Sequence, residues 1–289
     1  MSRQPTVRDI LRKTEDYLSG KSVDSPRLSA QLILSKGLGL SRLDLFMAMD
    51  RPLSPAELDV LRPLAARRGR GEPAAYIAGE REFRSLAFEV CPDVLIPRPE
   101  TELLVEQAVS LFAPNDPIRF ADLGTGSGCL AVTLATIFPA ASGLALDASP
   151  EALEVARRNA SRHGVGQRLT FVRADFSDLE PVEGGYHLIV SNPPYVDEAE
   201  YQALSPEVRL FEPRLALTPG HTGLEAYPAV LASARQRLAP GGWLVVEIGC
   251  GQGGAVGDLF RQGPEALEDV SVLKDLAGLD RVVMGRKAD

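Results

Sequence analysis

The residues best suited to chemistry form one short segment, Asn192-Pro193-Pro194-Tyr195, directly after an apolar run at 187–191. Two prolines end a strand abruptly and fix the backbone, so Asn192 and Tyr195 are expected to sit rigidly at its carboxyl end. The Asn192 side-chain oxygen and the Pro193 carbonyl can each accept one N–H of a planar NH₂ group. The Tyr195 ring can pack against that group. The segment therefore predicts a site that orients an amide or amine nitrogen, with a plain strand-ending turn as the alternative.

A glycine-rich loop lies upstream, between an apolar run at 118–123 and a helical stretch at 129–137. Glycines allow a tight turn and let the backbone approach a ligand closely. The spacing is G-x-G-x-G rather than the dinucleotide pattern G-x-G-x-x-G, and an aspartate precedes it. This arrangement resembles motif I of class I methyltransferases, whose loop faces the amino-acid part of S-adenosylmethionine, although such turns also form for packing alone. The predicted cofactor contacts in this stretch are Asp122, Gly124, Thr125, Gly126, Ser127 and Gly128.

Acidic residues follow the next two strand candidates. Asp147 ends the run at 142–146, where a carboxylate can accept hydrogen bonds from both ribose hydroxyls. The alternative is that Asp147 caps the helix that begins near Ser149. Asp175 and Phe176 follow the run at 169–172 and are the candidates for adenine contacts, since class I methyltransferases often bind the base at this point. Ordinary core packing is the alternative for Phe176.

The pattern of apolar residues predicts how these segments are positioned. Helices are expected from Thr6, from Ser25-Pro26 and from Ser54, and a β-hairpin from strands 86–90 and 94–96 around Pro92-Asp93. From about residue 118, seven strand candidates alternate with helical stretches. This alternation predicts an α/β fold with a Rossmann-like, doubly wound parallel sheet, whose last two strands form an antiparallel pair.

Composition limits the function classes. The chain has 289 residues, 45% of them hydrophobic, with 31 basic and 39 acidic residues and a net charge of −8. An acidic balance weakly disfavours nucleic-acid binding. Three widely spaced cysteines form neither a disulfide framework nor a zinc-ligand pair, so we expect no metal and a reducing compartment. The amino-terminal segment lacks a signal-peptide core and no run reaches membrane-span length, so a cytoplasmic protein without membrane contact is expected.

Taken together, the motifs resemble the release-factor glutamine methyltransferases, the HemK or PrmC family, over nearly the whole chain. Beyond the two segments above, the resemblance rests on further runs, namely Arg67-Arg68 with Gly71-Glu72-Pro73, Tyr76-Ile77 and Gly79, then Glu82-Phe83, Leu95-Ile96-Pro97-Arg98-Pro99-Glu100-Thr101-Glu102, Glu207-Val208-Arg209 with Phe211-Glu212-Pro213, Glu247-Ile248-Gly249 and Lys274-Asp275-Leu276-Ala277-Gly278-Leu279-Asp280-Arg281.

The resemblance implies a helical substrate-recognition domain at 1–82, a hairpin linker at 83–100 and a methyltransferase domain at 101–289. It implies S-adenosylmethionine as cofactor and, as substrate, the glutamine of the Gly-Gly-Gln motif in release factors. It places cofactor contacts on Gly124 to Gly128, Asp147, Phe176 and Asn192. It places substrate contacts and catalysis on Asn192, Pro193, Pro194 and Tyr195. A monomer is expected. The chain departs from the family at His221-Thr222-Gly223, where such proteins often carry Asp-Gly.

Three alternatives remain open from the sequence. A DNA adenine methyltransferase shares the Asn-Pro-Pro-Tyr segment but needs a basic groove and a recognition insert, neither of which is visible. A glutamine methyltransferase of a ribosomal protein shares the fold and motif, and only the amino-terminal domain could distinguish it. A cofactor-binding scaffold without catalysis is disfavoured by the intact Asn192 segment.

Overall fold

A computed structural model describes residues 4–263 and 265–289, which fall into two compact units. The first unit contains the described residues up to Arg81 together with Ser205–Phe211. The second contains Glu82–Leu204 and Glu212–Asp289. The helices of the first unit are α1 (Val7–Ser19), α2 (Pro26–Leu38), α3 (Arg42–Met47), α4 (Pro55–Gly69), α5 (Ala74–Ala78) and α10 (Pro206–Phe211).

Local sequence explains how the long helices of the first unit begin. Thr6 and Asp9 form a reciprocal capping box at α1, and Ser54 and Glu57 form another at α4. Helix α2 runs through Gly37 and ends at Gly39, which adopts a left-handed conformation. These helices enclose an apolar core that includes Leu18, Ile33, Leu34 and Leu61.

Two arginines in the last turn of α4, Arg67 and Arg68, make hydrogen bonds within the first unit. The Arg68 side chain is buried and donates to Ser29 Oγ at 3.1 Å, to the Glu72 carbonyl at 2.9 Å and to Glu207 Oε2 at 2.8 Å. Arg67 pairs with Glu72. Within this unit, Arg68 therefore anchors the segment Ser205–Phe211, which comes from much later in the chain.

The hairpin lies earlier than the sequence predicts. Its strands are β1 (Glu80–Phe83) and β2 (Leu86–Glu89), joined by Arg84 and Ser85. Both connecting residues have positive φ, 49° and 63°, as a two-residue hairpin turn requires. The predicted strand at 94–96 is wrong, because Pro92-Asp93 forms a turn closed by Val94 N–H on the Cys91 carbonyl and the chain continues irregularly.

The second unit is built on a seven-stranded sheet in the order β5-β4-β3-β6-β7-β9-β8. Strands β3 to β7 pair in parallel, while β9 runs antiparallel to both β7 and β8. The strands are β3 (Arg119–Leu123), β4 (Ser142–Asp147), β5 (Leu169–Arg173), β6 (Tyr186–Ser191), β7 (Leu238–Glu247), β8 (Glu268–Lys274) and β9 (Asp280–Arg286). The predicted doubly wound sheet with an antiparallel carboxyl-terminal pair is confirmed.

Helices cover both faces of this sheet. Those of the second unit are α6 (Glu102–Leu111), α7 (Cys129–Ile137), α8 (Pro150–Arg162), α9 (Glu198–Ala203), α11 (Tyr227–Arg237) and α12 (Gly253–Arg261). Residues of α6 and α7 share one buried cluster with the sheet, and residues of α11 and α12 share the other. No helix among the described residues is long and apolar enough to cross a membrane.

Strand order places the candidate site. The chain winds from β3 outward to β5 and then returns to β6 on the other side of β3, so the order reverses between β3 and β6. Open α/β sheets bind ligands outside the carboxyl ends of their strands at such a reversal. The glycine loop follows β3 and Asn192 follows β6, and Leu123 and Ser191 are register partners. The two predicted segments therefore leave neighbouring strand ends.

Candidate active site

The glycine loop owes its shape to backbone conformations that only glycine adopts easily. Gly124, Gly126 and Gly128 have φ values of 78°, 54° and 80°. The N–H groups of Gly124 and Thr125 both donate to the Leu146 carbonyl at 2.9 Å, which ties the loop to β4. A cavity lies at the carboxyl edge of the sheet, and the loop residues that line it are Gly124, Thr125, Gly126 and Ser127.

Asp122 lies behind this loop and does not line the cavity. Its Oδ2 accepts hydrogen bonds from Thr125 Oγ1 at 2.7 Å and from the Ala131 N–H at 3.1 Å. Burial raises the pKa of this carboxyl group to about 7. Asp122 thus holds the loop against the start of α7, while its predicted direct contact with a cofactor stays a prediction. Gly128 also lies outside the cavity lining and faces Ala156, where a Cβ would lie 3.1 Å from the Ala156 Cβ.

Asp147 lies at the cavity wall. Its Oδ2 accepts from the Gly126 N–H at 2.8 Å and its Oδ1 from the Ser149 N–H at 2.9 Å. Burial raises the pKa of Asp147, and these N–H donors partly oppose the rise. Helix α8 is capped by the Ser149 hydroxyl, which accepts from the Ala152 N–H, so Asp147 is not the cap. The carboxylate therefore braces the glycine loop and faces the cavity, and its ribose role stays a prediction.

Asp175 and Phe176 follow β5 and both line the same cavity. Asp175 is exposed, and its Oδ1 accepts from the Phe176 N–H at 2.6 Å. Phe176 is half-buried against the core on the α11 side of the sheet, and its carbonyl accepts from Ser233 Oγ at 2.5 Å. The phenyl ring is thus both part of the core and part of the cavity wall. The structure brings these two candidates together with Asp147 and the loop.

Asn192 and Pro194 line the same cavity as Asp147, whereas Pro193 is buried and Tyr195 does not contribute to the lining. Asn192 Nδ2 donates to Thr101 Oγ1 at 3.1 Å. In the part of the chain that the structure describes, Asn192 Oδ1 accepts no hydrogen bond. Tyr195 donates to Glu247 Oε1 at 3.2 Å. Burial and the neighbouring carboxylate raise the pKa of Tyr195 far above its usual range, so the phenol remains a donor.

Sequence reasoning missed two residues of this site. Thr101 Oγ1 donates to Glu247 Oε2 at 2.6 Å, and both side chains are buried. Burial raises the pKa of Glu247 to about 7. A usable signal existed, because a glutamate ends the apolar run of β7, and the carboxyl end of that strand lies beside β6. The stretch before Thr101 was also misjudged as hairpin, since its cavity-lining residues are Asp93, Val94, Leu95, Pro97 and Arg98.

Comparison with known proteins agrees with this arrangement. Residues 9–79 match the family model of the PrmC N-terminal domain, and residues 120–213 match that of a methyltransferase domain. The human methyltransferase 10 domain containing protein shares the fold at 14% identity, with a TM-score of 0.51 and coverage of 69% of this chain and 89% of that chain. Fold and site together define a Rossmann-like methyltransferase.

Relatives that align over nearly the full chain identify the family within this class of methyltransferases. The release factor glutamine methyltransferase of Nitratidesulfovibrio vulgaris is 49% identical, over 98% of this chain and 95% of its own. The release factor glutamine methyltransferase of Geobacter sulfurreducens is 44% identical, over 97% of this chain and 96% of its own. The chain belongs to the release factor glutamine methyltransferase family. It is an enzyme that uses S-adenosylmethionine.

The residues present fit this cofactor. The cavity wall combines an aromatic ring, Phe176, with a carboxylate, Asp147, and a loop whose backbone is exposed at Gly126, where a built Cβ meets nothing within 4 Å. Aromatic, carboxylate and backbone groups of this kind suit an adenine ring, a ribose diol and an amino-acid moiety, respectively. A cationic methyl donor is also favoured by the acidic side chains Asp147 and Asp175.

Proposed function

We propose that this enzyme methylates the side-chain amide nitrogen of the glutamine in the Gly-Gly-Gln motif of peptide-chain release factors. The observation that carries the proposal is Asn192 in the cavity lining, whose Oδ1 accepts no hydrogen bond from the described residues, next to the glycine loop that follows the neighbouring strand. It occurs in a chain that aligns over nearly its full length with release factor glutamine methyltransferases. The family supplies the substrate class, and the acceptor geometry supplies the chemical reason.

An amide nitrogen is a poor nucleophile, because its lone pair is delocalised into the carbonyl group. The site must therefore hold the NH₂ group and direct the nitrogen lone pair. In this proposal Asn192 Oδ1 and the Pro193 carbonyl each accept one substrate N–H. Both hydrogen bonds strengthen as the nitrogen gains positive charge, so they favour the transition state over the bound substrate. When bound, S-adenosylmethionine supplies an activated methyl group and leaves as S-adenosylhomocysteine. The amide attacks without prior deprotonation, and the proton that the methylated nitrogen then loses passes to solvent.

The remaining site assignments belong to the same proposal. Asp147 accepts the ribose hydroxyls, Asp175 and Phe176 contact the adenine, and Gly124 to Gly128 contact the methionine end together with Asn192. Asp122 acts mainly by holding the loop through Thr125 and the Ala131 N–H. Pro194 completes the cavity surface that receives the substrate amide, and Tyr195, which does not line the cavity, acts on it through its hydrogen bond to Glu247.

We also propose that residues 1–82 form the substrate-recognition domain, 83–100 the linker and 101–289 the catalytic domain. A helical first unit whose sequence matches the PrmC N-terminal domain supports the first of these assignments. A monomer that works in the cytoplasm and binds no nucleic acid directly is the accompanying expectation. The net charge of −8 supports the last point, because duplex recognition through phosphates favours a basic surface.

Radiolabelled methyl transfer tests the proposal. The enzyme is incubated with labelled S-adenosylmethionine and one of four substrates, namely a release factor, the same factor with its Gly-Gly-Gln glutamine changed to alanine, a ribosomal protein mixture and duplex DNA. We expect label on the intact release factor alone, mapped by mass spectrometry to that glutamine. Label in a ribosomal protein, or on DNA adenine, with none on the release factor would overturn the proposed substrate.

A further inference from the structure

A chain of hydrogen bonds links Asn192 to Glu247, the buried residue at the carboxyl end of β7. Asn192 Nδ2 donates to Thr101 Oγ1 at 3.1 Å, Thr101 Oγ1 donates to Glu247 Oε2 at 2.6 Å, and Tyr195 donates to Glu247 Oε1 at 3.2 Å. Glu247 has no exposed surface and Thr101 is 2% exposed. Burying a carboxylate is costly, and a neutral side chain of similar shape would fill the same space. The carboxylate therefore does something that packing alone does not require.

The direction of these hydrogen bonds is determined by counting protons. An ionised carboxylate only accepts, so Thr101 must give its single proton to Glu247. The Thr101 oxygen is then left with acceptor capacity only, and it can pair with Asn192 solely through an N–H donor. Of the two ends of the Asn192 amide, only Nδ2 is such a donor. Its Oδ1 is consequently left to accept from the substrate, and in this cavity-lining residue it accepts no hydrogen bond from the described residues.

We propose that Glu247 and Thr101 are positioning residues that set the amide orientation of Asn192, so that an acceptor rather than a donor faces the substrate NH₂ group. Glu247 does not line the cavity, and Thr101, which contributes to the cavity lining, acts in this scheme on Asn192 rather than on the substrate. Glu247 acts through Thr101, and Thr101 acts on Asn192. The inference rests on the proposed function and adds to it a mechanism for holding the catalytic amide in one of its two orientations.

The reverse orientation explains why the direction matters. If Thr101 were free to donate to Asn192, the amide could turn over and present Nδ2 to the cavity. Two N–H donors would then face each other, one from the enzyme and one from the substrate amide, and neither would be paired. An unpaired buried donor is unfavourable, so the substrate nitrogen would not be held for attack.

A matched pair of variants tests the hydroxyl. Thr101→Val removes the hydroxyl at nearly constant volume, whereas Thr101→Ser retains it and removes a methyl group. We expect Thr101→Val to lower kcat for release-factor methylation by about 10- to 100-fold, the range seen when a residue that orients a site ligand is removed. The KM for the release factor and the Kd for S-adenosylmethionine should change little. Thr101→Ser should retain most of the parent kcat.

A second pair keeps the test decisive if Thr101→Val does not fold. Glu247→Gln should lower kcat in the parent background, because a glutamine can donate to Thr101 and release the hydroxyl proton toward Asn192. In an Asn192→Asp background the same change should raise kcat, by about twofold or more, the smallest coupling expected for residues in one network. In that background the carboxylate introduced at position 192 and the Glu247 carboxylate both need the single Thr101 proton. Changing Glu247 to glutamine leaves only one carboxylate that needs it. A residue that only supports the fold would lower kcat in both backgrounds.

Thermal unfolding and single-turnover methyl transfer, with saturating S-adenosylmethionine and a release factor, are measured for all variants. An inactive parent enzyme overturns the proposed function and this inference with it. An active parent, with equal kcat for folded Thr101→Val and Thr101→Ser, overturns the inference alone. So does a Glu247→Gln change that lowers kcat in both Asn192 backgrounds. A reversal of sign between the two backgrounds supports the assignment of Glu247 as a positioning residue.

Discussion

The two sides of the cavity are built in different ways. Beyond the carboxyl ends of β3 and β4, the wall is a backbone structure, in which three positive-φ glycines are held by main-chain hydrogen bonds and by Asp147. Beyond the ends of β6 and β7, the wall is a side-chain structure, in which Asn192 is connected through Thr101 to Glu247. The first side presents a backbone shape together with the Asp147 carboxylate, and the second presents the Asn192 amide.

This difference suggests that the two sides of the cavity have different functions. A glycine loop can bind a cofactor whichever protein substrate the enzyme acts on, because backbone groups fit a constant ligand. An oriented amide oxygen contributes mainly as charge develops on the substrate nitrogen. Changes on the loop side should therefore act on cofactor affinity, and changes on the Asn192 side should act on turnover. The predictions below separate these two effects.

The largest effect is expected at Asn192 itself. Asn192→Ala removes the free Oδ1 acceptor but leaves the glycine loop and Asp147 intact, so the cofactor should still bind. Turnover should fall by about 10²–10³-fold, as when one preorganised hydrogen-bonding group is removed from a transition state. Single-turnover methyl transfer to a release factor measures the rate, and calorimetry measures the Kd for S-adenosylmethionine. Asn115→Ala, at an exposed asparagine, is the control. A near-parental rate would show that Asn192 does not position the amide.

The sequence predicted the loop side better than the acceptor side. Glycine spacing, strand alternation and the acidic residue that ends β4 are local features, and the structure brings four of the predicted loop residues, Gly124 to Ser127, together with Asp147 in one cavity lining. Thr101 and Glu247 are 146 residues apart in sequence, and their contact depends on the order of strands in the sheet. No local pattern encodes that contact.

The misplaced hairpin has a similar cause. Pro92-Asp93 resembles a hairpin turn, but the turn that joins two strands lies at Arg84 and Ser85, which are not typical residues for positive φ. Propensity alone does not find such a turn. Asp122 was predicted as a ligand from its place next to the glycines, yet it lies behind the loop. Adjacent positions in a strand point to opposite sides, and sequence proximity does not tell which side is the cavity.

Gly223 belongs to the segment His221-Thr222-Gly223, where the chain departs from the family pattern, and its substitution should have the next largest effect. A Cβ at this position would lie 2.4 Å from the Tyr195 carbonyl oxygen and 3.1 Å from the Asp197 nitrogen. Gly223→Ala should therefore displace the segment that follows Asn192 and lower turnover by up to about 10²-fold, with little change in cofactor affinity. Gly164→Ala is a matched control, because its φ of 70° resembles the 72° of Gly223 while nothing lies within 4 Å of its Cβ. Equal turnover in the two variants would refute the steric explanation.

On the loop side, Asp147→Ala should act on affinity. The change removes a carboxylate that braces the Gly126 N–H and is proposed to accept the ribose hydroxyls. Binding of S-adenosylmethionine should weaken by about 1.5–3 kcal/mol, the range for hydrogen bonds to a charged group. Turnover at saturating cofactor should change much less. Asp178→Ala, at an exposed carboxylate outside the cavity lining, is the comparison. An unchanged Kd in a folded Asp147→Ala variant would remove Asp147 from the cofactor site.

The smallest effect is expected from pH, and it comes from the acceptor side. Burial raises the pKa of Glu247 from the ordinary glutamate value of 4.5 to about 7. The hydrogen bonds from Thr101 and Tyr195 and the positive charge of Arg281 oppose the rise, and Glu100 adds to it. The other titratable groups whose charges interact with Glu247 are Cys129 and Tyr227.

The sign of the pH dependence follows from the raised pKa. Glu247 is ionised above about pH 7 and protonated below it, and only the ionised form compels Thr101 to accept from Asn192. Turnover at saturating S-adenosylmethionine should therefore rise from pH 6 to pH 8 by about tenfold, the change in the ionised fraction of one group with a pKa near 7.

Asp122 has a pKa near 7 as well, so the group responsible for the rise in turnover between pH 6 and pH 8 must be tested separately. Asp122 holds the glycine loop, and its titration should appear in the Kd for S-adenosylmethionine rather than in turnover with cofactor saturating. Glu247→Gln should flatten the dependence of turnover on pH, since the variant has no carboxyl group to titrate at this position. Measuring turnover and Kd from pH 5.5 to pH 8.5 for the parent and for Glu247→Gln resolves the two groups. If turnover of the Glu247→Gln variant still rises from pH 6 to pH 8 as it does in the parent, Glu247 does not cause the rise. The acceptor side of the cavity then does not depend on the charge of that residue.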